Sequence, residues 1–317
     1  MQHCYGTSYR NELCPETSER LTNMDEQKTR TNTAQPQTVN RPLGLPALAG
    51  ADTGSPDRRP PLVLLHGLTF DRNLWNPVLA ELDRVDPGRR VLTLDLPGHG
   101  ESPGWPSYDI ESVADGVHRA VERAQLESPV VVGHSISAVI ATLYAARYPS
   151  RGVVNVDQSL QVAPFASLVR SLADKLRGPD FPAVWEMFAT NMQIERLPES
   201  AQALVRSTSR PRQELVLGYW QQLLDRPIDE IVDLAAAALT ALRDTRVPYL
   251  VVAGNPLEPD YQQWLSETLP QFEVDTWAGS GHFPQLAHPE RFAERLATTS
   301  SWTADPATNA EPAISGH

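Results

Sequence analysis

Cysteine is almost missing from this sequence. Its two cysteines, Cys4 and Cys14, both lie in the polar N-terminal stretch, and none follows. Their spacing fits no zinc pattern, which argues against a disulfide framework or a metal site and rules out a cysteine nucleophile in the folded body. Long apolar runs are lacking too. No stretch reaches the roughly 18 consecutive apolar residues that a membrane-spanning helix requires. The first 30 residues have no apolar centre of the kind a secretory signal carries, so the expected location is cytoplasmic. Basic residues are in deficit, 27 Lys and Arg against 39 Asp and Glu, for a formal net charge of −12. Nucleic acid, which selects a basic surface, is therefore not an expected partner.

Apolar residues, by contrast, are plentiful: 41% of the 317 residues are hydrophobic, enough for a sizeable core. Residues 1–55 are polar and turn-rich and are expected to be disordered, save for a poorly formed first strand in the Pro/Gly/Ala-rich approach to the body. The tail 299–317 is expected to be unstructured as well. Between them, short continuous apolar runs such as "PLVLLHG", "VLTLDLPGHGES", "PVVVGHS", "GVVNVDQS" and "VPYLVVAG" alternate with amphipathic stretches such as "IESVADGVHRAVERAQL". Apolar runs of this length suit strands buried on both faces, and their alternation with helices predicts a doubly wound, mostly parallel α/β sheet. The core is expected to span 56–159 and 246–298. Residues 160–245 interrupt it with helical segments only, and predict a cap over the C-terminal edge of the sheet, where such folds place their ligands.

The run "PVVVGHSISAVIATLYAARYP" ends a strand at Gly133 and starts a helix at once, with Ser135 at the turn. Small residues two positions to either side of Ser135 let strand and helix approach closely, so that the serine can take a strained conformation with Oγ held out for nucleophilic attack. Ser137 stands where glycine is commoner. The N–H of Ile136, at a helix N-terminus, is suited to stabilise an oxyanion. Leu68, in the turn shaped by His66 and Gly67, is the candidate second donor. Most of the eight histidines have ordinary explanations: His3 and His317 are terminal, His118 lies on a helix face, His99 in a turn and His288 at a helix start. His134 is expected to support the turn. His282 follows the final strand through a Gly-rich loop and is the candidate general base.

The motifs "HGLTFDRNLW", "LDLPGHGES", "VVGHSIS" and "GSGHFPQLAHPERF" together, and in this order, resemble those of the α/β-hydrolase superfamily over roughly residues 59–297. The resemblance implies an eight-stranded, mostly parallel sheet, a helical cap, no cofactor and no metal. It also implies a carboxylate partner for His282. The relatives' usual position for it, after the strand "YLVVAG", holds Leu257, so the adjacent Glu258 is the first candidate. Asp157, after the preceding strand, is the alternative, and Asp260 a third. The expected activity is hydrolysis of a small-molecule carboxylic ester or lactone with a small to medium apolar group. Phe70, Trp185, Phe188, Tyr219 and Phe283 are the candidate pocket walls. Relatives that open epoxides or remove halogens use an aspartate at the elbow, so Ser135 argues against both activities. A lyase, a cofactor-free oxygenase or a slowly turning receptor on the same scaffold is the alternative class.

Overall fold

A computed structural model describes residues 45–302. The strands are β1 (Gly50–Thr53), β2 (Leu62–Leu65), β3 (Val91–Leu94), β4 (Val130–His134), β5 (Gly152–Val156), β6 (Tyr249–Ala253) and β7 (Phe272–Thr276). They form one seven-stranded sheet in the order β1-β3-β2-β4-β5-β6-β7, in which only β1 runs antiparallel. The expected count of eight is thus seven among the described residues.

Every residue of β2 to β6 is buried, as the continuous apolar runs require. Alternation sorts their side chains to two faces. Leu62, Leu64, Val130, Val132, Val154 and Val252 pack on one side against α1 (Asn76–Val85) and α12 (Pro289–Thr298). Val63, Leu65, Val131, Val153 and Val251 join the opposite core with α2 (Ile110–Arg123) and α3 (Ile136–Arg147). Helix α2 starts where the Asp109 side chain accepts the Ser112 N–H, which satisfies one of the open donors of its first turn.

Between β5 and β6 the chain forms helices only: α4 (Val162–Ser171), α5 (Ala173–Arg177), α6 (Phe181–Asn191), α7 (Glu199–Thr208), α8 (Gln213–Asp225) and α9 (Ile228–Thr245). Helix α9 returns to pack on α3. After β6 follow α10 (Pro259–Thr268), β7 and the short α11 (Pro284–Ala287).

Two expected boundaries move. Residues 50–53, in the approach where the sequence left room for a poorly formed first strand inside an otherwise disordered leader, form β1 along the open edge of β3, where backbone pairing holds four exposed residues that show no apolar alternation. Of the tail, residues 299–302 are described: Thr299 is fully buried, and the Trp302 ring lies against Gly152, where any Cβ would approach it to 2.2 Å. Of the two terminal expectations, residues 1–44 and 303–317 fall outside the described residues. No helix among the described residues is long and apolar enough to cross a membrane.

Candidate active site

Strand β3 lies to one side of β2 and β4 to the other, so the connections leaving β2 and β4 diverge at the sheet's C-terminal edge. A cleft opens at such a switch point. Ser135 sits there, between β4 and α3, with φ 57° and ψ −132°. A non-glycine residue held at such angles stores on the order of 1–3 kcal/mol of strain, which the surroundings must impose. Here they do. The Ser135 N–H donates to the Val156 carbonyl (3.0 Å), and its own carbonyl accepts from Ala138 N–H (2.7 Å). A Cβ at Gly133 would come within 2.1 Å of the Ser137 carbonyl oxygen, so the crossing of strand and helix requires glycine. Ser137 does more than stay small: it is fully buried and its hydroxyl donates to the His66 carbonyl, which ties the elbow to the loop after β2.

That loop carries Leu68. Thr69, at φ 73°, donates its N–H to His99 Nε2 (3.0 Å), while His66 Nε2 accepts from Leu96 N–H (3.0 Å). Both rings are buried and meet edge to face at 5.0 Å. Desolvation lowers both pKa values, that of His99 strongly, so each remains a neutral ring that accepts at Nε2 and donates from Nδ1 to a carbonyl. His66 was expected to shape this turn, but the part of His99 in it was not visible from the sequence, where the "LHG" and "PGHGES" turns lie far apart.

His282 is fixed from three sides. Its Nδ1 donates to Asp157 Oδ2 (2.8 Å), its N–H to the Met192 carbonyl (3.0 Å), and its carbonyl accepts from His134 Nε2 (2.7 Å). With the Nδ1 proton committed to the carboxylate, Nε2 carries the lone pair. His134 is fully buried; burial, with the nearby His282, pushes its pKa down to about 3. Asp157, itself at φ 56°, uses Oδ1 to accept Gly254 N–H (2.8 Å). Burial raises its pKa, but the His282 bond and charge and the Gly254 N–H outweigh that, and the carboxyl ends below its usual range. Gly254 passes so close to the histidine loop that a Cβ would stand 1.7 Å from the Gly281 carbonyl oxygen.

The acid expected first is therefore not the one that meets the ring. Glu258 is exposed and serves as the residue before α10, and Asp260 is exposed in that helix's first turn. The turn after β6 leads both outward, whereas the turn after β5 brings Asp157 across to His282.

Ser135, His282, Leu68 and Ile136 line one cavity of about 380 Å³ between the sheet edge and the inserted helices. Of the expected walls, Phe70, Trp185, Phe188 and Tyr219 line it. Phe283 does not. It is fully buried behind the site, edge to face with Phe70 at 5.5 Å and 5.0 Å from the His134 ring, because consecutive side chains at the turn diverge and His282 takes the cavity side. The Tyr219 hydroxyl is spent on the Pro97 carbonyl (3.0 Å), leaving its ring as the wall. Among the described residues lining the cavity, none is Asp, Glu, Lys or Arg. No group of three or more metal-ligating side chains occurs among the described residues.

Comparison with known proteins agrees with this architecture. A pimeloyl-[acyl-carrier protein] methyl ester esterase of Neisseria meningitidis is 28% identical over 251 residues, covering 75% of this chain and 92% of that protein. Among solved structures, a putative aryl esterase from Burkholderia cenocepacia superposes with a TM-score of 0.62 at 23% identity, over 82% of this chain and 98% of its own. A loop variant of the haloalkane dehalogenase DbeA from Bradyrhizobium elkanii superposes with a TM-score of 0.60 at 22% identity, over 82% of this chain and 95% of its own. At these identities the structures speak to the fold alone. The pattern of the alpha/beta hydrolase family matches residues 62–295, nearly three quarters of the sequence, and the chain belongs to that family.

Proposed function

We propose that this protein is a serine hydrolase that cleaves a carboxylic ester or lactone through an acyl-enzyme on Ser135, with His282 as general base and Asp157 as its carboxylate partner. The observation that carries the reading is the His282 Nδ1–Asp157 Oδ2 hydrogen bond in a ring that shares its cavity with the strained Ser135. A histidine so oriented presents its basic Nε2 to a hydroxyl. The named curated relative is an esterase, which supports the same bond class.

In this mechanism His282 Nε2 takes the Ser135 proton as Oγ attacks the carbonyl carbon. Asp157 holds the ring in the Nδ1–H tautomer and stabilises the imidazolium that forms. The Ile136 N–H, at the first turn of α3, and the Leu68 N–H receive the charge on the carbonyl oxygen; one such donor is typically worth about 3–4 kcal/mol. Collapse of the tetrahedral intermediate expels the alcohol, which takes the proton from His282. Water, deprotonated by the same nitrogen, then releases the acid. Pre-set loops carry most of the positioning, which avoids reorganisation as charge develops.

A fluorophosphonate probe followed by a panel of esters and lactones tests the proposal. Ser135 should be labelled and at least one panel member turned over with saturation. A folded protein that neither reacts with the probe nor hydrolyses any member would overturn it.

A further inference from the structure

Helix α6 takes part in two structures at once. Its Trp185 and Phe188 line the cavity, with Phe188 edge to face against Trp220 (5.1 Å) and Phe165 (6.1 Å). Its C-cap residue, Met192, also lines the cavity, and its carbonyl receives the His282 N–H at 3.0 Å. The contact is close. At Gly281, with φ 58°, a Cβ would meet the Met192 oxygen at 2.8 Å and Gln193 Cβ at 2.9 Å, so only glycine lets the histidine loop lie against the end of α6. Gln193 leaves the helix in a left-handed conformation, φ 57°, and its buried Oε1 has no hydrogen-bond partner among the described residues. The seam is thus tight in its backbone, strained at one residue and short of one hydrogen bond.

On the opposite side, the His282 carbonyl rests on His134 in the elbow. The backbone of the candidate base is therefore suspended between a core element that carries the nucleophile and a helix that forms the pocket wall. Misplacement of a catalytic group by about 1 Å can cost on the order of a hundredfold in rate. A helix that shifts when the cavity is empty or underfilled would produce a displacement on that scale through the Met192 carbonyl.

We propose that α6 is the specificity element of the site: neutral apolar acyl groups bulky enough to pack against Phe188 seat α6, the Met192 carbonyl thereby seats His282, and acyl size is read in kcat rather than in KM. This rests on the serine-hydrolase reading for its kinetic form but not for the underlying coupling between cavity and histidine loop. Neutrality follows from the uncharged wall, since an ionised group buried there would find no countercharge.

Two measurements on the full chain test it. In the first, kcat and KM are determined for the p-nitrophenyl esters from acetate to octanoate. The kcat for octanoate should exceed that for acetate by about tenfold or more, and in Phe188→Ala this ratio should fall toward one. A size preference confined to KM, or a ratio that survives in Phe188→Ala, overturns the proposal and leaves the hydrolase reading standing. The second uses Ser135→Ala, which cannot turn over. Amide exchange at His282 should slow several-fold when methyl octanoate saturates the cavity and stay unchanged with methyl acetate. Unchanged exchange at His282 while quenching of tryptophan fluorescence reports an occupied cavity overturns the coupling, whatever reaction the protein performs.

Discussion

Replacing Asp157 by asparagine sets the two hydrogen bonds of the carboxylate against each other. Oδ2 accepts from His282 Nδ1 and Oδ1 accepts from Gly254 N–H, both at 2.8 Å, so the site presents two donors to two acceptor oxygens. An amide has one acceptor and one donor end. If its oxygen keeps the histidine, its NH₂ faces the Gly254 N–H, donor against donor. If it flips to satisfy Gly254, its NH₂ faces Nδ1 and forces the proton onto Nε2, where the ring can no longer accept from Ser135. The Gly254 N–H belongs to the backbone of a crowded turn, where a Cβ would stand 1.7 Å from the Gly281 carbonyl oxygen, and has little room to move away. The flipped state is favoured, and the loss should approach that of a triad with the wrong tautomer, about 10⁴ in kcat or roughly 5.5 kcal/mol of transition-state stabilisation. Circular dichroism and thermal melts should show a folded protein, and hydrolysis of the best panel ester by Asp157→Asn, Glu258→Gln and the parent gives the ranking. Glu258→Gln should stay within about threefold of the parent, since Glu258 is an exposed residue at the start of α10. Asp157→Asn within tenfold of the parent, or Glu258→Gln the worse of the two, would refute the assignment.

Stability should fall in mild acid because His134 is held neutral. Its folded pKa is about 3, while in the unfolded chain it titrates near 6.5, so below that value only the unfolded state gains the proton. Between pH 6.5 and 5 this removes up to about 2 kcal/mol, with His66 and His99 acting in the same direction, whereas the contribution of Asp157 is lost only at lower pH, as it falls through the ordinary carboxylate range and below. Urea unfolding at pH 7.5 and 5.0 measures the difference, which should shrink in His134→Gln; equal stability at both pH values would contradict it. A monoester of a dicarboxylic acid, its free carboxylate lying where a neutral ester of equal length places a methyl group, should show kcat/KM at least about a hundredfold lower, because the cavity offers no cation. Comparable turnover would mean that the charged end stays in water.

The sequence made the parts built from consecutive residues readable. The apolar run, the glycine and the serine ahead of an Ala-rich stretch define the elbow within ten residues, and the Gly-rich loop marks His282 in the same way. The carboxylate that meets His282 was narrowed only to Glu258, Asp157 or Asp260, with Glu258 ranked first, because the pair lies 125 residues apart and the decisive feature is the positive φ at Asp157, which aims its carboxylate across the sheet edge. Phe283 was misread for a related reason: adjacency to His282 in sequence does not put two consecutive side chains on one side of a turn. Strand β1 was expected only as a poorly formed first strand without bounds, since all four of its residues are exposed, no apolar pattern marks its ends and only backbone pairing to β3 holds it. The shared role of His66 and His99 likewise depends on two loops meeting.

The most direct test of a serine acyl-enzyme is mass spectrometry of the protein quenched in acid during steady-state turnover of a slowly deacylating ester. The account predicts an added acyl mass on the peptide containing Ser135, absent in Ser135→Ala, whose kcat falls by about 10⁴ or more. Turnover without any adduct on Ser135, or near-normal hydrolysis by Ser135→Ala, would contradict it.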